Sequence, residues 1–294
     1  MPTSIVPVCR AVTKRYSRFE LGPIDLSVGN GRVTGLFGPN GSGKTTLLSM
    51  ILGLIRPTSG DIYVGGDNGL RCTSAVLEGV GMLPDVTVVR YLEMTAKLHK
   101  SDAEPYEVAV YCGIDCYLSV KVRHLSMGNR QRLSIACLML SETTFAIFDE
   151  PLNGLDPDGI RWFTGVLREM KQEGKSIILS SHLLMEAHSL IDDCIFLSEG
   201  KVIYSGSLSE IEKRARQSLS VCAEEAAQGD NQQHERVIYI DNGLAYLDSP
   251  RSDGNYESHV RTRNTWDQKI PLAAIYAWIL HGSYQADELG DKNA

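Results

Sequence analysis

The run Gly38-Pro39-Asn40-Gly41-Ser42-Gly43-Lys44-Thr45-Thr46 fits the spacing G-x-x-x-x-G-K-S/T. Its glycines let the backbone turn so that successive N–H groups face inward on an anion. Lys44 would reach the β- and γ-phosphates, and the Thr45 hydroxyl supplies the hard oxygen a Mg²⁺ ion needs where it bridges two phosphate oxygens. Such a cradle needs a strand before it and a helix after it. The apolar run at 33–37 reads as a buried strand. A helix starting near Lys44 and running to about Ile55 would aim its positive end at the phosphates before Pro57 and Gly60 stop it.

A second pair of chemical groups, Asp149 and Glu150, closes the strand-like run 145–148. In a parallel sheet the carboxyl ends of strands gather on one edge, so these acids can meet the phosphate loop. Asp149 would hold Mg²⁺ directly or through water, and Glu150 would orient or deprotonate an attacking water. Ser126 and Gly128 stand just before a helix read as 131–140, a helix start that suits an anion. Asn153 to Pro157 reads as a turn containing Asp156, and the strand at 177–179 runs into Ser180-Ser181-His182. Ahead of the loop, Tyr16 offers an aromatic face to an adenine ring; the competing reading is a packed strand tyrosine.

Taken together, and in this order, these segments resemble the nucleotide-binding subunit of an ABC transporter, over roughly residues 5–215. The resemblance implies an α/β P-loop NTPase of ABC type: a mixed sheet core with a helical subdomain near 72–140 and an antiparallel β subdomain. It implies ATP and Mg²⁺ as ligands. It also implies two copies, or a copy and a paralogue, sandwiching two ATPs head to tail. Ser126 and Gly128 would then contact the γ-phosphate held by the opposite protomer, Asp156 would couple the two sites, and His182 would bond the γ-phosphate and help place the water of Glu150. The partner would be a separate transmembrane permease, which puts the chain on the cytoplasmic face of the membrane.

Two departures from the family pattern stand out. Met127 and Asn129 replace a Gly and the Gln of L-S-G-G-Q, a variation similar to that of relatives resembling bacterial exporters. At 79–85 the chain resembles the lead-in to the Q-loop, where a Gln or Glu senses the γ-phosphate, contacts the permease and lies near the metal. Asp85 takes that position with a shorter side chain, and the chain runs directly from it into a helix near 86–92 where relatives insert several residues. The expectation is an altered coupling surface or lowered turnover. Two other functional readings stand beside the ATP-driven motor. One is a nucleotide-gated regulatory subunit with little turnover. The other is a soluble ABC ATPase working on DNA or ribosomes, which usually carries a coiled-coil insertion or a second ATPase domain.

The composition fits this picture. The 294 residues are 43% hydrophobic, ample for a buried core, and carry a net charge of −7. With a pI near 5.5, neither a nucleic-acid face nor a polybasic membrane patch is supported. A guanine-reading Asn-Lys-x-Asp segment does not occur, which disfavours a P-loop GTPase. The seven cysteines lack C-x-x-C spacing and read as reduced, mostly buried thiols; Cys112 and Cys116 could share a helix face, without a His pair to make a metal site. No run reaches the roughly 18 apolar residues of a membrane span, and no signal sequence opens the chain.

Past the Ser-His segment, 194–198 and 201–204 read as a hairpin around Glu199-Gly200, followed by a helix starting at Ser207. Residues 216–235, rich in Ala, Gln, Glu and Ser, read as a linker. The remaining 236–294 form a small α+β extension: a hairpin turning at Asn242-Gly243, a third strand near 256–260, and an amphipathic helix at 271–280. Trp266 and Trp278 are read as core.

Overall fold

The computed structural model describes residues 7–65, 73–77, 82–141, 143–180 and 190–215, together with 237–241, 244–248 and Ile275. The chain forms two compact units, Met1–Ser205 and Gly206–Ala294.

In the first unit the alternation of apolar and polar residues near the N-terminus produces an antiparallel sheet. β1 (Pro7–Arg15) pairs with β2 (Glu20–Ser27) on one edge and β4 (Ser59–Val64) on the other. The second sheet has the order β5-β6-β7-β3-β8-β9. It comprises β3 (Val33–Phe37), β5 (Thr73–Val76), β6 (Phe145–Asp149), β7 (Ser176–Ser180), β8 (Asp193–Ser198) and β9 (Lys201–Ser207). Strands β5, β6, β7, β3 and β8 run parallel. Every residue of β3, β6 and β7 is buried, which is why these strands are mostly apolar and do not alternate apolar with polar residues.

Helix α1 (Lys44–Ile51) follows β3 directly. It ends earlier than the apolar pattern suggests. Gly53 adopts a left-handed φ of 71° and Leu54 N donates back to the Ser49 carbonyl, a glycine-terminated cap that stops the helix before Pro57 can. Between β5 and β6 lies a helical cluster of α2 (Val88–His99), α3 (Pro105–Tyr111) and α4 (Met127–Met139), with its own core around Leu92, Ala109, Ile114 and Leu133. Helix α4 begins four residues before the expected Gln131: Ser126 caps it, its Oγ accepting from Asn129 N at 3.2 Å, so Gly128 lies within the first turn. Strand β5 precedes these helices as a member of the parallel sheet.

The turn expected at 153–157 leads into helix α5 (Pro157–Gln172), a helix that the sequence pattern does not announce. It is capped by Asp156, whose Oδ1 accepts from Gly159 N at 2.7 Å, and it buries Phe163, Val166, Leu167 and Met170. Cys112 caps the end of α3 and is buried, whereas Cys116 lies in a separate 3-10 turn and is exposed, so the two do not share a helix. Burial pushes the thiols of Cys9 and Cys112 up to about 12 and that of Cys137 up to about 11, well into the protonated range. Among the described residues no helix is long and apolar enough to cross a membrane.

In the second unit, β10 (Val237–Asp241) and β11 (Leu244–Asp248) pair antiparallel, with Tyr239 opposite Tyr246. The strand near 256–260, Trp266 and Trp278 lie outside the described residues, as do the linker at 216–235 and, apart from Ile275, the helix at 271–280.

Candidate nucleotide site

The sheet order builds the site. Strand β7 lies between β3 and β6, so the loop leaving β3 and the acids ending β6 emerge on the same edge, separated by one strand. The consequence is direct contact: Thr45 Oγ1 donates to Asp149 Oδ2 at 2.7 Å across a sequence separation of 104. Ser180, at the end of the intervening β7, donates to Asp149 Oδ1 at 2.5 Å. Asp149 is thus aimed by both neighbours while only 1% exposed.

Glu150 continues from Asp149 with a left-handed φ of 50°, a conformation that costs a non-glycine residue about 1 kcal/mol or more. Its own N–H donates to the Ser180 side chain at 3.0 Å, which holds the kink. The kink turns the carboxylate out of the strand direction and toward the loop, where Oε1 stands 4.0 Å from Lys44 Nζ with both side chains under a tenth exposed. Lys44 also donates to the carbonyls of Gly38 at 2.9 Å and Pro39 at 3.3 Å, so its ammonium hangs inside the loop. A buried cation held by two neutral carbonyls and a carboxylate at the edge of reach is well suited to an arriving anion.

The loop is braced from behind by a turn that the sequence reading used only as a hairpin. Gly200 N donates to the Ser42 carbonyl at 3.2 Å, and Gly22 N donates to the Gly200 carbonyl at 2.7 Å. Gly200 has a φ of 79°, and a Cβ there would lie 2.0 Å from the Glu20 carbonyl oxygen, so only glycine fits. Beside Gly41 this packing leaves a cleft of about 640 Å³ lined by Arg18, Phe19, Glu20, Gly22, Glu199 and Lys201. Tyr16 is 48% exposed, with Lys14 Nζ 5.5 Å from its ring centre, so the face is partly free as stacking requires.

Ser42 carries a cost. Its hydroxyl is buried and has no hydrogen-bond partner among the described residues. Because an unpaired buried hydroxyl costs roughly 1–3 kcal/mol, Ser42→Ala is expected to raise the stability of the free protein by about 1 kcal/mol in urea unfolding. A stability loss of that size would show that the hydroxyl is bonded in solution.

Ser126, Gly128 and Asp156 are brought together elsewhere on the unit. A Cβ on Gly128 would lie 2.6 Å from the Gly154 carbonyl oxygen, and one on Gly154 would lie 2.7 Å from the Met127 side chain. The two capped helix starts, Ser126 of α4 and Asp156 of α5, therefore pack through glycine contacts that leave no room for a larger residue. Asp85 lies with the helical cluster, in ion pairs with Arg123 at 2.6 Å and Lys121 at 3.7 Å. His182 lies outside the described residues. Ser180 and Gly200 were missed as site-shaping residues: the one signal was a serine at the end of the neighbouring strand, and for Gly200 the glycine of a two-residue turn.

Comparison with known proteins gives this arrangement its family. The sequence model of the ABC transporter family matches residues 21–153. The chain is 33% identical over 213 residues to the uncharacterized ABC transporter ATP-binding protein YdbJ of Bacillus subtilis (strain 168), covering 69% of each. It is 34% identical over 221 residues to the bacitracin transport ATP-binding protein BcrA of Bacillus licheniformis, covering 71% of this chain and 72% of that one. With the lantibiotic transport ATP-binding protein SrtF of Streptococcus pyogenes it shares 32% over 199 residues, covering 65% of this chain and 87% of that one. A solved structure described as the ATP-binding subunit of an ABC transporter superposes with a TM-score of 0.64 at 27% identity, covering 72% of this chain and 93% of that one.

The chain belongs to the family of ABC transporter ATP-binding proteins. It is an ATP-binding and ATP-hydrolysing subunit, the motor for a separate membrane permease.

Proposed function

We propose that this subunit hydrolyses Mg²⁺-bound ATP at a site completed by a second copy or a paralogue, and that the cycle drives a permease exporting substrate from the cytoplasmic face of the membrane. The observation that carries the reading is the meeting of Thr45 with Asp149 at 2.7 Å while Glu150 stands beside Lys44. The Thr45 hydroxyl and the Asp149 carboxylate are adjacent hard oxygens, a donor set that fits Mg²⁺, and the ion would supply neutralisation of phosphate charge.

On this reading Lys44 exchanges the Gly38 and Pro39 carbonyls for the β- and γ-phosphates, and the loop amides from Gly41 to Thr46 complete the cradle. Tyr16 stacks on the adenine. Glu150 takes a proton from, or aligns, the water that attacks the γ-phosphorus, and His182 steadies that phosphate. Ser126 and Gly128 of the partner subunit close the cage, and Asp156 links the two sites. Little covalent chemistry is asked of the protein; positioning and charge complementarity carry the rate. The bacitracin and lantibiotic transport proteins among its relatives favour a peptide-antibiotic class of cargo and an outward direction.

The composite site has a specific test. Lys44→Ala and Ser126→Ala disable different halves of each site, so each variant alone is expected to be inactive. A mixture of the two should regain hydrolysis, because one of the two sites in a mixed dimer has both halves intact. An inactive mixture, under conditions where mixed dimers form, would remove the head-to-tail reading.

A further inference from the structure

The segment that contains Asp85 is fastened to the chain leading into Ser126. Arg123 Nη1 donates to Asp85 Oδ1 at 2.6 Å, and Lys121 Nζ stands 3.7 Å from the same oxygen. The backbone repeats the connection four times. Arg123 N donates to the Pro84 carbonyl at 3.0 Å and Val122 N to that of Val86 at 2.9 Å; Val88 N and Val89 N donate to the carbonyls of Val120 and Leu118, both at 3.0 Å. Thr87 and Lys121 form an antiparallel bridge at the centre of this seam.

Neither end of the seam has slack. Only Val86 separates Asp85 from Thr87, the N-cap of α2, so residue 85 follows the helix with no intervening loop. On the other side Arg130, at the end of the first turn of α4, donates Nε to the Val122 carbonyl at 3.3 Å and Nη2 to the Arg123 carbonyl at 2.8 Å. That ties residues 122–123 to the helix whose N-cap is Ser126. Leu83, next to the seam, is 50% exposed and available to a partner.

We propose that Asp85 is a positioning residue for Ser126. Through Arg123 it locks residues 84–89 onto 118–123, so that a contact made at Leu83 and Asp85 displaces the Ser126 cap as one body with α2 and α4. This deepens the reading of Ser126 as the group that completes the second ATP site, and rests on it. The shortened segment then acts as a strut: what the chain lacks in loop length it replaces with an ion pair and a backbone seam.

The test uses the full chain with Asp85→Asn, Arg123→Gln and the double variant. Three quantities are read: amide hydrogen exchange over 122–129, kcat for ATP hydrolysis, and the Mg²⁺ concentration giving half-maximal rate. Each single variant is expected to speed exchange by roughly two- to fivefold, the range an exposed ion pair supports, and to lower kcat by a similar factor. The double variant should be no worse than Asp85→Asn alone, because the Asp85–Arg123 pair is lost only once. The half-saturating Mg²⁺ should not move in any of them. Unchanged exchange in both singles overturns the proposal. So does a raised Mg²⁺ requirement confined to Asp85→Asn, which would make Asp85 a metal contact. The exchange readout needs no nucleotide, so its failure is separate from a failure of the Ser126 reading, which the mixing experiment decides.

Discussion

Glu150→Gln is expected to lower steady-state ATP hydrolysis by roughly 10²- to 10⁴-fold, the contribution of a positioned general base, while leaving ATP binding intact or tighter. The geometry sets both halves of the expectation. Glu150 is held 4.0 Å from Lys44 by a kink that Ser180 fastens, so Gln can occupy the same place with nearly the same shape. It removes a negative charge from beside the incoming γ-phosphate, which favours binding. It also removes the group able to take a proton from water, which stops turnover. The measurement is a phosphate-release assay beside a titration with a fluorescent ATP analogue; a purified Glu150→Gln protein that turns over at the wild-type rate would assign the water to another residue. Glu150→Asp should be nearly as slow, since the carboxylate is retained but withdrawn by one methylene from a site where small displacements are costly.

Phe148→Ala is expected to destabilise the first unit by about 3–5 kcal/mol, the range for deleting a buried phenylalanine ring. Phe148 is fully buried in β6 and meets Phe163 of α5 edge to face, with ring centres 5.2 Å apart and planes at 76°. Such a pair adds about 0.5–1.5 kcal/mol beyond the area it buries. The ring stands one residue before Asp149 and packs against the helix capped by Asp156, so the cavity would loosen both acid positions at once. Denaturant unfolding should be followed by a probe confined to the first unit, because a chain of two units need not unfold in one step. Phe148→Leu fills part of the space and should lose less than the alanine variant. A loss below about 1 kcal/mol for Phe148→Ala would mean the strand collapses around the gap at little cost.

The two effects differ in kind, and the difference separates chemistry from architecture. Glu150→Gln should leave the unfolding midpoint nearly unchanged while removing turnover. Phe148→Ala should shift the midpoint and lower activity only as far as the folded population and the placement of Asp149 fall.

What could be read from the sequence was what is local in it. The phosphate loop, the acid pair and the serine before α4 each carry their chemistry within a few consecutive residues, and their neighbours announce a strand or a helix by periodicity. The buried strands β3, β6 and β7 were legible for the same reason: strands covered on both faces have mostly apolar sequences. Helix ends were less legible. Those of α1 and α4 are set by single hydrogen bonds at Leu54 and Ser126 rather than by the length of the apolar pattern.

Only the tertiary structure decided which groups meet. That Thr45 touches Asp149 depends on β7 inserting between β3 and β6, an order that periodicity does not encode. That Ser180 aims Asp149, and that Gly200 backs Ser42, follow from strands adjacent in the sheet but remote in the chain. The pairing of Asp85 with Arg123 spans 38 residues and depends on the turn before α4 folding back along the start of α2. A charge in sequence fixes what a residue can bind; its partner is chosen by whichever packing brings an opposite charge within about 4 Å, where the attraction becomes appreciable. The sequence alone thus pointed to an ATP-binding domain and to the groups proposed to hold its phosphates, whereas packing decided how the loop is braced and where the shortened segment is anchored.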